Sequence, residues 1–225
     1  MAILILLAML LVTVGGSLLT LRWLVGARRP PGMPVVAVAI ACWGAAYAIL
    51  LANASISSTE RTLALGDTYR LCGAYLDCHL GVAVRDVRRA RVLGTPARQA
   101  TAGGWFWVVT VQVSSDARRA TLALVEPELT VVDARGRAYR RSAAGERALA
   151  GDSVLPPLSQ PVDAGAAFTT RVVFDLPADV SRPRLLVRQG SRQERAAELV
   201  LIGHDHSLGH AHTYLAMDAE RLVRR

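Results

Sequence analysis

The sequence contains no lysine and only three cysteines in 225 residues. All 26 basic residues are therefore arginine, which we attribute to codon usage rather than to a physical demand. Low hydrophobicity, the condition for intrinsic disorder, is also absent, because 52% of the residues are hydrophobic. The chain lacks a nucleophile elbow, a phosphate-binding loop, a dinucleotide-binding glycine pattern and an HExxH zinc motif. These absences favour a protein that is not an enzyme.

Two uncharged runs account for most of the excess hydrophobicity. Residues 2–21 and 33–52 each hold 20 residues, and about 20 helical residues span the core of a bilayer. We predict two N-terminal transmembrane helices in a hairpin (residues 1–52, with the loop at 22–32), a linker at 53–62, a β-sandwich domain at 63–217 and a tail at 218–225. The alternative for the first run is a cleaved signal peptide, although the run lacks a basic n-region.

The charges flanking these runs predict an orientation. The predicted loop carries Arg22, Arg28 and Arg29 and no acidic residue, and short arginine-rich loops stay in the cytoplasm. We therefore predict a multi-pass protein of the cytoplasmic (inner) membrane, with the N-terminus and the C-terminal domain outside and the lipid bilayer as a partner. An exterior domain also makes nucleic acid an improbable partner, despite the net charge of +8.

The texture of the chain changes after residue 58, where short apolar stretches alternate with turn residues. Trp105, Trp107 and Val109 share one face of a stretch whose other face holds Thr110 and Gln112, which is typical of a half-buried strand. We predict a hairpin at 129–139 with its turn at 133–136, strands at 63–70, 80–87, 168–176, 184–188 and 198–202, and loops at 96–104 and 142–164. So many short strands predict an all-β, antiparallel, immunoglobulin-like sandwich.

Two segments of this region resemble a known family. The hairpin VVDARGRAY and the later segment VVFDLPADVSRPRLLV are similar to the telokin-like, immunoglobulin-fold domain of bacterial exported and membrane-anchored proteins, with Asp175-Leu-Pro177 matching the step that precedes its last strands. The resemblance covers about residues 65–217. It implies an extracytoplasmic binding or accessory module and supplies no catalytic residues. The cysteine pair and the histidine cluster depart from the family pattern.

Cys72 and Cys78 are the two cysteines outside the apolar runs. In an oxidising exterior such a pair closes a disulfide, and the five-residue spacing is not the CxxC of thioredoxin-type redox sites. The alternative is a pair of free or metal-binding thiols. We predict a structural disulfide.

Four of the five histidines lie within nine residues, as two His-x-His pairs: His204 with His206, and His210 with His212. On a strand, residues i and i+2 face the same way, so each pair can present two imidazoles to one ion. Zn²⁺ or Cu²⁺ accepts such ligands, with Asp205 and His79 as further candidates. The competing interpretation is a solvated turn in which the histidines have no role, and in that case the protein has no cofactor.

A predicted strand carries four arginines within the seven residues 85–91: Arg85, Arg88, Arg89 and Arg91. They are candidates for contact with anionic headgroups or with an acidic partner. The alternative is a solvated strand edge whose charges prevent edge-to-edge pairing. We therefore expect a non-enzymatic, membrane-anchored binding module with an unidentified protein or ligand partner, and as the second hypothesis an extracytoplasmic Zn²⁺- or Cu²⁺-binding protein that uses the histidine cluster.

Overall fold

A computed structural model of the chain describes residues 15–16, 33–72, 78–151 and 155–217. The chain divides into two compact units, Met1–Ile56 and Ser57–Arg225. Most of the predicted helix at 2–21, the loop at 22–32 and the tail at 218–225 lie outside the described residues.

Helix α1, Met33–Ser57, is the long helix of the first unit. It carries no charged residue, and its 18-residue segment Ile40–Ser57 is long and apolar enough to cross a membrane, with none of it buried. This segment is the one candidate span within the described residues. The prediction of two N-terminal transmembrane helices is therefore wrong, and a multi-pass topology is not supported. The other predicted span, at 2–21, was inferred from the length of an uncharged apolar run.

Two sheets pack face to face in the second unit. The order of the five-stranded sheet is β1-β9-β8-β5-β6, and that of the four-stranded sheet is β2-β3-β4-β7. The strands are β1 Arg61–Leu63, β2 Thr68–Leu71, β3 Leu80–Leu93, β4 Ala100–Ser115, β5 Glu128–Val132, β6 Ala138–Arg140, β7 Ala167–Leu176, β8 Arg184–Arg188 and β9 Thr213–Ala216. The β-sandwich that the alternating pattern predicts is confirmed.

One apolar core joins the sheets. Val109, Val111 and Phe174 from the four-stranded sheet and Val131 and Leu185 from the five-stranded sheet are fully buried in it. Alternate residues of each strand supply these side chains, because successive side chains of a strand point to opposite faces. Burial of such side chains stabilises the domain by about 1.5–3 kcal/mol each.

The sandwich is neither all-β nor all-antiparallel, which corrects a second part of the predicted fold class. Strand β1 runs parallel to β9, with Arg61 opposite Thr213; the alternation of side chains carries no information on strand direction. The sandwich also holds helix α2, Ala143–Ala150, and helix α3, Arg192–Glu198, besides a short 3₁₀ helix at Pro96–Arg98.

The two helices replace elements that the sequence predicted differently. Helix α2 lies within the predicted loop at 142–164, where Ser142 caps its first turn by accepting a hydrogen bond from the Gly145 N–H. Gly145 packs so closely against Phe106 and Val173 that a Cβ there would collide with the Val173 side chain. The strand predicted at 198–202 is wrong, because α3 ends at Glu198 and turns follow it.

Candidate metal centre

Helix α3 places a carboxylate inside the sandwich. Ser191 and Glu194 form a capping box, in which the Glu194 carboxylate accepts from the Ser191 N–H at 2.7 Å and the Ser191 hydroxyl accepts from the Glu194 N–H at 3.4 Å. Arg195 ties the helix to β5 by donating to Glu128 at 2.8 Å. The helix therefore begins at a fixed point and ends with Glu198 buried.

The segment after α3 returns over Glu198 through consecutive hydrogen-bonded turns. The His204 N–H donates to the Leu201 carbonyl at 3.3 Å, and the Ser207 N–H donates to the His204 carbonyl at 2.9 Å. Gly203 adopts a φ of 77°, a conformation that favours glycine. These turns direct the His204 and His206 side chains inward, where both are buried.

Glu198, His204 and His206 form a compact group of ligand-type side chains. One ligand atom from each lies within 4.8 Å of the others, and the Glu198 Oε2 is 3.8 Å from the His206 Nδ1. Their exposed fractions are 3%, 8% and 7%. No described residue donates a hydrogen bond to the Glu198 carboxylate.

His204 is held by two hydrogen bonds. Its Nδ1 accepts from the His206 N–H at 3.2 Å, so its Nε2 carries the proton and donates to the Cys72 carbonyl at 3.1 Å. Direct coordination by His204 Nδ1 would replace the long bond from the His206 N–H. Glu198 and His206 are therefore the primary ligands available, and His204 is the third.

The electrostatics of the group suit a cation. Burial raises the pKa of Glu198 by more than His204 and Arg188 lower it. Burial, with Arg188 and the neighbouring histidines, lowers the pKa of His206 to about 4, so its imidazole is neutral near pH 7 and has a lone pair to give. Arg188 and Arg195 act on Glu198 as nearby positive charges and Glu194 as a nearby negative one, and Asp205 adds a negative charge near His206.

Three buried side-chain atoms lack a hydrogen-bond partner among the described residues: the Arg137 Nη2, the Arg188 Nε and the Ser207 Oγ. Arg188 is close enough to affect the pKa of both Glu198 and His206, and Ser207 follows His206 in the chain. The unsatisfied atoms of Arg188 and Ser207 beside these ligand-type side chains are compatible with uptake of an ion or of ordered water.

The other predicted ligands lie elsewhere. The His212 ring is 6.1 Å from that of His206, and its Nδ1 donates to the Asp205 carbonyl at 3.3 Å. The His210 Nδ1 donates to the carbonyl of the next residue at 2.9 Å. The Asp205 carboxylate accepts from the Tyr69 hydroxyl at 2.8 Å. His79 is exposed and bonded to an aspartate at 2.7 Å. The structure thus assembles half of the predicted histidine set.

The predicted disulfide is confirmed. Cys72 and Cys78 are bonded, with their Cα atoms 4.1 Å apart. Because the Cys72 carbonyl accepts the hydrogen bond from His204, one cysteine of the disulfide contacts the candidate metal centre. Sequence reasoning did not connect these two features.

Glu198 is the candidate ligand that sequence reasoning missed. It lies in the segment SRQERAAE, where an exposed helical glutamate is the default expectation. The capping-box pattern Ser191-x-x-Glu194 was the available indication of a helix there. Nothing local indicates that the last residue of this helix is buried.

The predicted arginine cluster lies on β3. Arg85, Arg88, Arg89 and Arg91 are all exposed. None of them belongs to the candidate metal centre.

No protein-family model matches the chain, and no curated protein matches it. Solved structures that are similar to part of it include the secreted protein MPT63 of Mycobacterium tuberculosis, with 20% identity, 61% of this chain and 95% of that chain covered and a TM-score of 0.40. The YjhA protein of Bacillus subtilis has 11% identity, coverages of 69% and 98% and a TM-score of 0.42. An uncharacterized β-sandwich protein of Clostridium difficile has 10% identity, coverages of 72% and 97% and a TM-score of 0.36. The telokin-like resemblance has no family model behind it and stays a prediction.

Proposed function

We propose that this chain is a membrane-anchored, extracytoplasmic, non-enzymatic module whose β-sandwich binds a Zn²⁺ ion through Glu198, His206 and His204. The observation that carries the metal assignment is the buried Glu198 carboxylate, 3.8 Å from the His206 Nδ1 and without a hydrogen-bond donor among the described residues. Two imidazoles and a carboxylate are a ligand set that Zn²⁺ accepts. Burial of all three side chains suits retention of an ion better than turnover of a substrate.

Membrane anchoring is supported by α1. Its candidate span is uncharged, and Ile49 and Ile56 are 67% and 84% exposed, which is costly in water and favourable in lipid. Three arginines, Arg22, Arg28 and Arg29, precede the helix, and no charged residue occurs between Met33 and residue 58. The positive-inside rule then puts the β-sandwich outside the cytoplasm. The Cys72–Cys78 disulfide supports the same side, because such bonds persist in oxidising compartments.

The test is a Zn²⁺ titration of the full-length chain in detergent micelles, followed by calorimetry and thermal unfolding. We expect one ion per chain, and at a free concentration of about 100 times Kd a rise in Tm of roughly 5–10 °C. Glu198→Gln and His206→Gln should each weaken binding by at least about tenfold, since each removes a direct ligand.

The matched control is His210→Gln, which removes an imidazole from the same segment but outside the compact group. It should leave the affinity unchanged. Absence of binding tighter than micromolar, or an equal loss in the His210 variant, would exclude the proposed site. Cu²⁺ titrated in parallel identifies the preferred ion.

A further inference from the structure

The second half of β3 forms an open sheet edge. Strand β2 pairs with β3 only from Leu80 to Ala83, and the Gly66 N–H adds one bond to the Val84 carbonyl at 2.9 Å. From Arg85 to Leu93, β3 pairs with β4 alone among the described residues. An edge of this kind presents backbone N–H and C=O groups to which another extended chain can bind.

Regular pairing along this edge covers one stretch between two bulges. Register shifts separate Val84 from Asp86 and Ala90 from Val92. The five residues from Asp86 to Ala90 are in regular register with β4. A partner strand therefore has about five residues of ladder available, and the bulges set both of its ends.

Two of the edge arginines lie over tryptophan rings. The Arg89 guanidinium is 5.1 Å from the centre of the Trp107 ring, and that of Arg91 is 4.5 Å from the centre of the Trp105 ring. Cation–π contacts hold both guanidinium groups against the sheet and leave their N–H edges in solvent. Arg89 lies in the regular stretch and Arg91 in the bulge that follows it, so the edge presents one bidentate donor within the ladder and one at its end.

The charges of the other two arginines are partly engaged. Arg88 donates to Asp86 at 2.7 Å, and Arg85 donates to Gln112 and to the Gly66 carbonyl. Arg89 and Arg91 form no ion pair with any described residue. Arg88 is therefore the one arginine of the four that a described carboxylate pairs with, and the guanidinium groups of Arg89 and Arg91 have no polar partner among the described residues.

We propose that the β3 edge binds an extended acidic polypeptide, which adds as a strand beside Asp86–Ala90 and places one carboxylate on Arg89 within the ladder and another on Arg91 at the bulged end. Charge complementarity selects this occupant: a second copy of the chain would bring the same arginines face to face, which is unfavourable across a strand pair. Guanidinium forks match the planar geometry of carboxylates. The strand addition is independent of the proposed metal centre, which lies on other residues.

The experiment uses the full-length chain in nanodiscs of zwitterionic lipid and a nine-residue peptide that alternates glutamate with threonine. Binding is followed by the fluorescence of the tryptophans and by hydrogen exchange of backbone amides. We expect saturable binding, slower exchange of the amides at 86–90, and an affinity at least about tenfold lower in the Arg89→Glu/Arg91→Glu double variant. A peptide of the same sequence that is N-methylated along its backbone keeps the charge but lacks the N–H donors of the ladder, and it should not bind.

The matched control is Arg118→Glu/Arg119→Glu, which makes the same change of net charge at two exposed positions outside the edge. It should bind the peptide as the parent does. Equal loss in this control, equal binding of the N-methylated peptide, or unchanged exchange at 86–90 would each overturn strand addition. The proposal also fails if vesicles of phosphatidylglycerol bind in an Arg89- and Arg91-dependent way while the peptide does not. Arg89→Gln/Arg91→Gln, which removes charge without reversing it, replaces the double variant if that one fails to fold.

Discussion

Asp133 and Glu198 are both buried carboxylates of the same sandwich, with exposed fractions of 1% and 3%. Asp133 accepts the backbone N–H groups of Arg135 and Arg137 at 2.9 Å each, the Arg137 Nε at 2.7 Å and the Tyr139 hydroxyl at 3.4 Å. Glu198 accepts nothing within hydrogen-bond distance from the described residues.

The two pKa values move in opposite directions as a result. Burial raises the pKa of Asp133, but the hydrogen bonds from Arg137 and Arg135 outweigh burial and hold it below its usual value. For Glu198 burial is the largest influence, and the pKa is raised. Burial alone therefore does not tell whether a carboxylate is structural. A carboxylate surrounded by donors fixes a turn, whereas one without donors is available to a proton or a metal ion.

We expect the largest effect from a substitution of Asp133, the carboxylate of this pair that accepts hydrogen bonds. Asp133→Asn keeps the shape of the side chain but removes its charge and places an NH₂ group where an acceptor is needed. We expect Tm to fall by roughly 10 °C, because several donors in one turn lose their partner together. Thermal unfolding followed by circular dichroism measures the change.

The same variant tests the direction of the pKa shift. A carboxyl whose pKa is lowered on folding stabilises the protein above its unfolded pKa, and this contribution is lost as the pH falls through the folded value. The parent should therefore lose stability below about pH 4 more steeply than Asp133→Asn. Asp179→Asn is the control, because Asp179 binds the same Arg137 at 3.0 Å from an exposed position. A parent and an Asp133 variant with equal Tm would show that the turn does not depend on this network.

The Asp133 turn could be predicted from sequence because its determinants are local. Asp133 and Gly136 are three residues apart, and Gly136 has the positive φ of 76° that its turn requires. Strands β5 and β6 on either side pair in the expected antiparallel register, with Val131 opposite Tyr139. The alternation of side chains around Trp107 in β4 could be predicted for the same reason, because it depends on neighbouring residues only.

The Glu198 site could be predicted only in part because its determinants are distant. The His204 and His206 pair was recognisable from spacing, but their burial depends on a return of the chain over α3 and on the Cys72 carbonyl, 132 residues away from His204. His210 and His212 have the same His-x-His spacing as His204 and His206 but do not contact Glu198. The segment forms turns rather than the strand that this spacing suggested.

Removal of the disulfide should have a smaller effect. It should alter the surroundings of Glu198 and leave those of Asp133 unchanged. Cys72→Ser/Cys78→Ser removes a short cross-link, worth about 2 kcal/mol of unfolding free energy and a fall in Tm of roughly 5 °C. Because the Cys72 carbonyl anchors His204, we expect amide hydrogen exchange to accelerate at His206 and to stay unchanged at Arg137.

Cys42→Ser is the matched control for the disulfide variant. Cys42 is a free, exposed cysteine of α1, so its replacement should change neither Tm nor exchange in the sandwich. Equal acceleration at His206 and Arg137 in the double serine variant would mean that the disulfide stabilises the sandwich as a whole, and that the candidate metal centre has no special dependence on it.

The smallest effect that we expect is that of Glu198→Gln in metal-free protein kept in chelator. Its carboxylate has no hydrogen bond to lose, and its ionised form is the one that burial disfavours, so the variant should unfold within about 1 kcal/mol of the parent. When Zn²⁺ is added, the parent should become more stable than the Glu198 variant, since only the parent gains stability from the ion. A Glu198 variant that unfolds as readily as Asp133→Asn in chelator would reveal a structural partner for Glu198. Glu198 would then be a structural carboxylate like Asp133 rather than one that is available to a ligand. A small loss in chelator together with a large difference in Zn²⁺ would instead locate the function of Glu198 in the ion it binds.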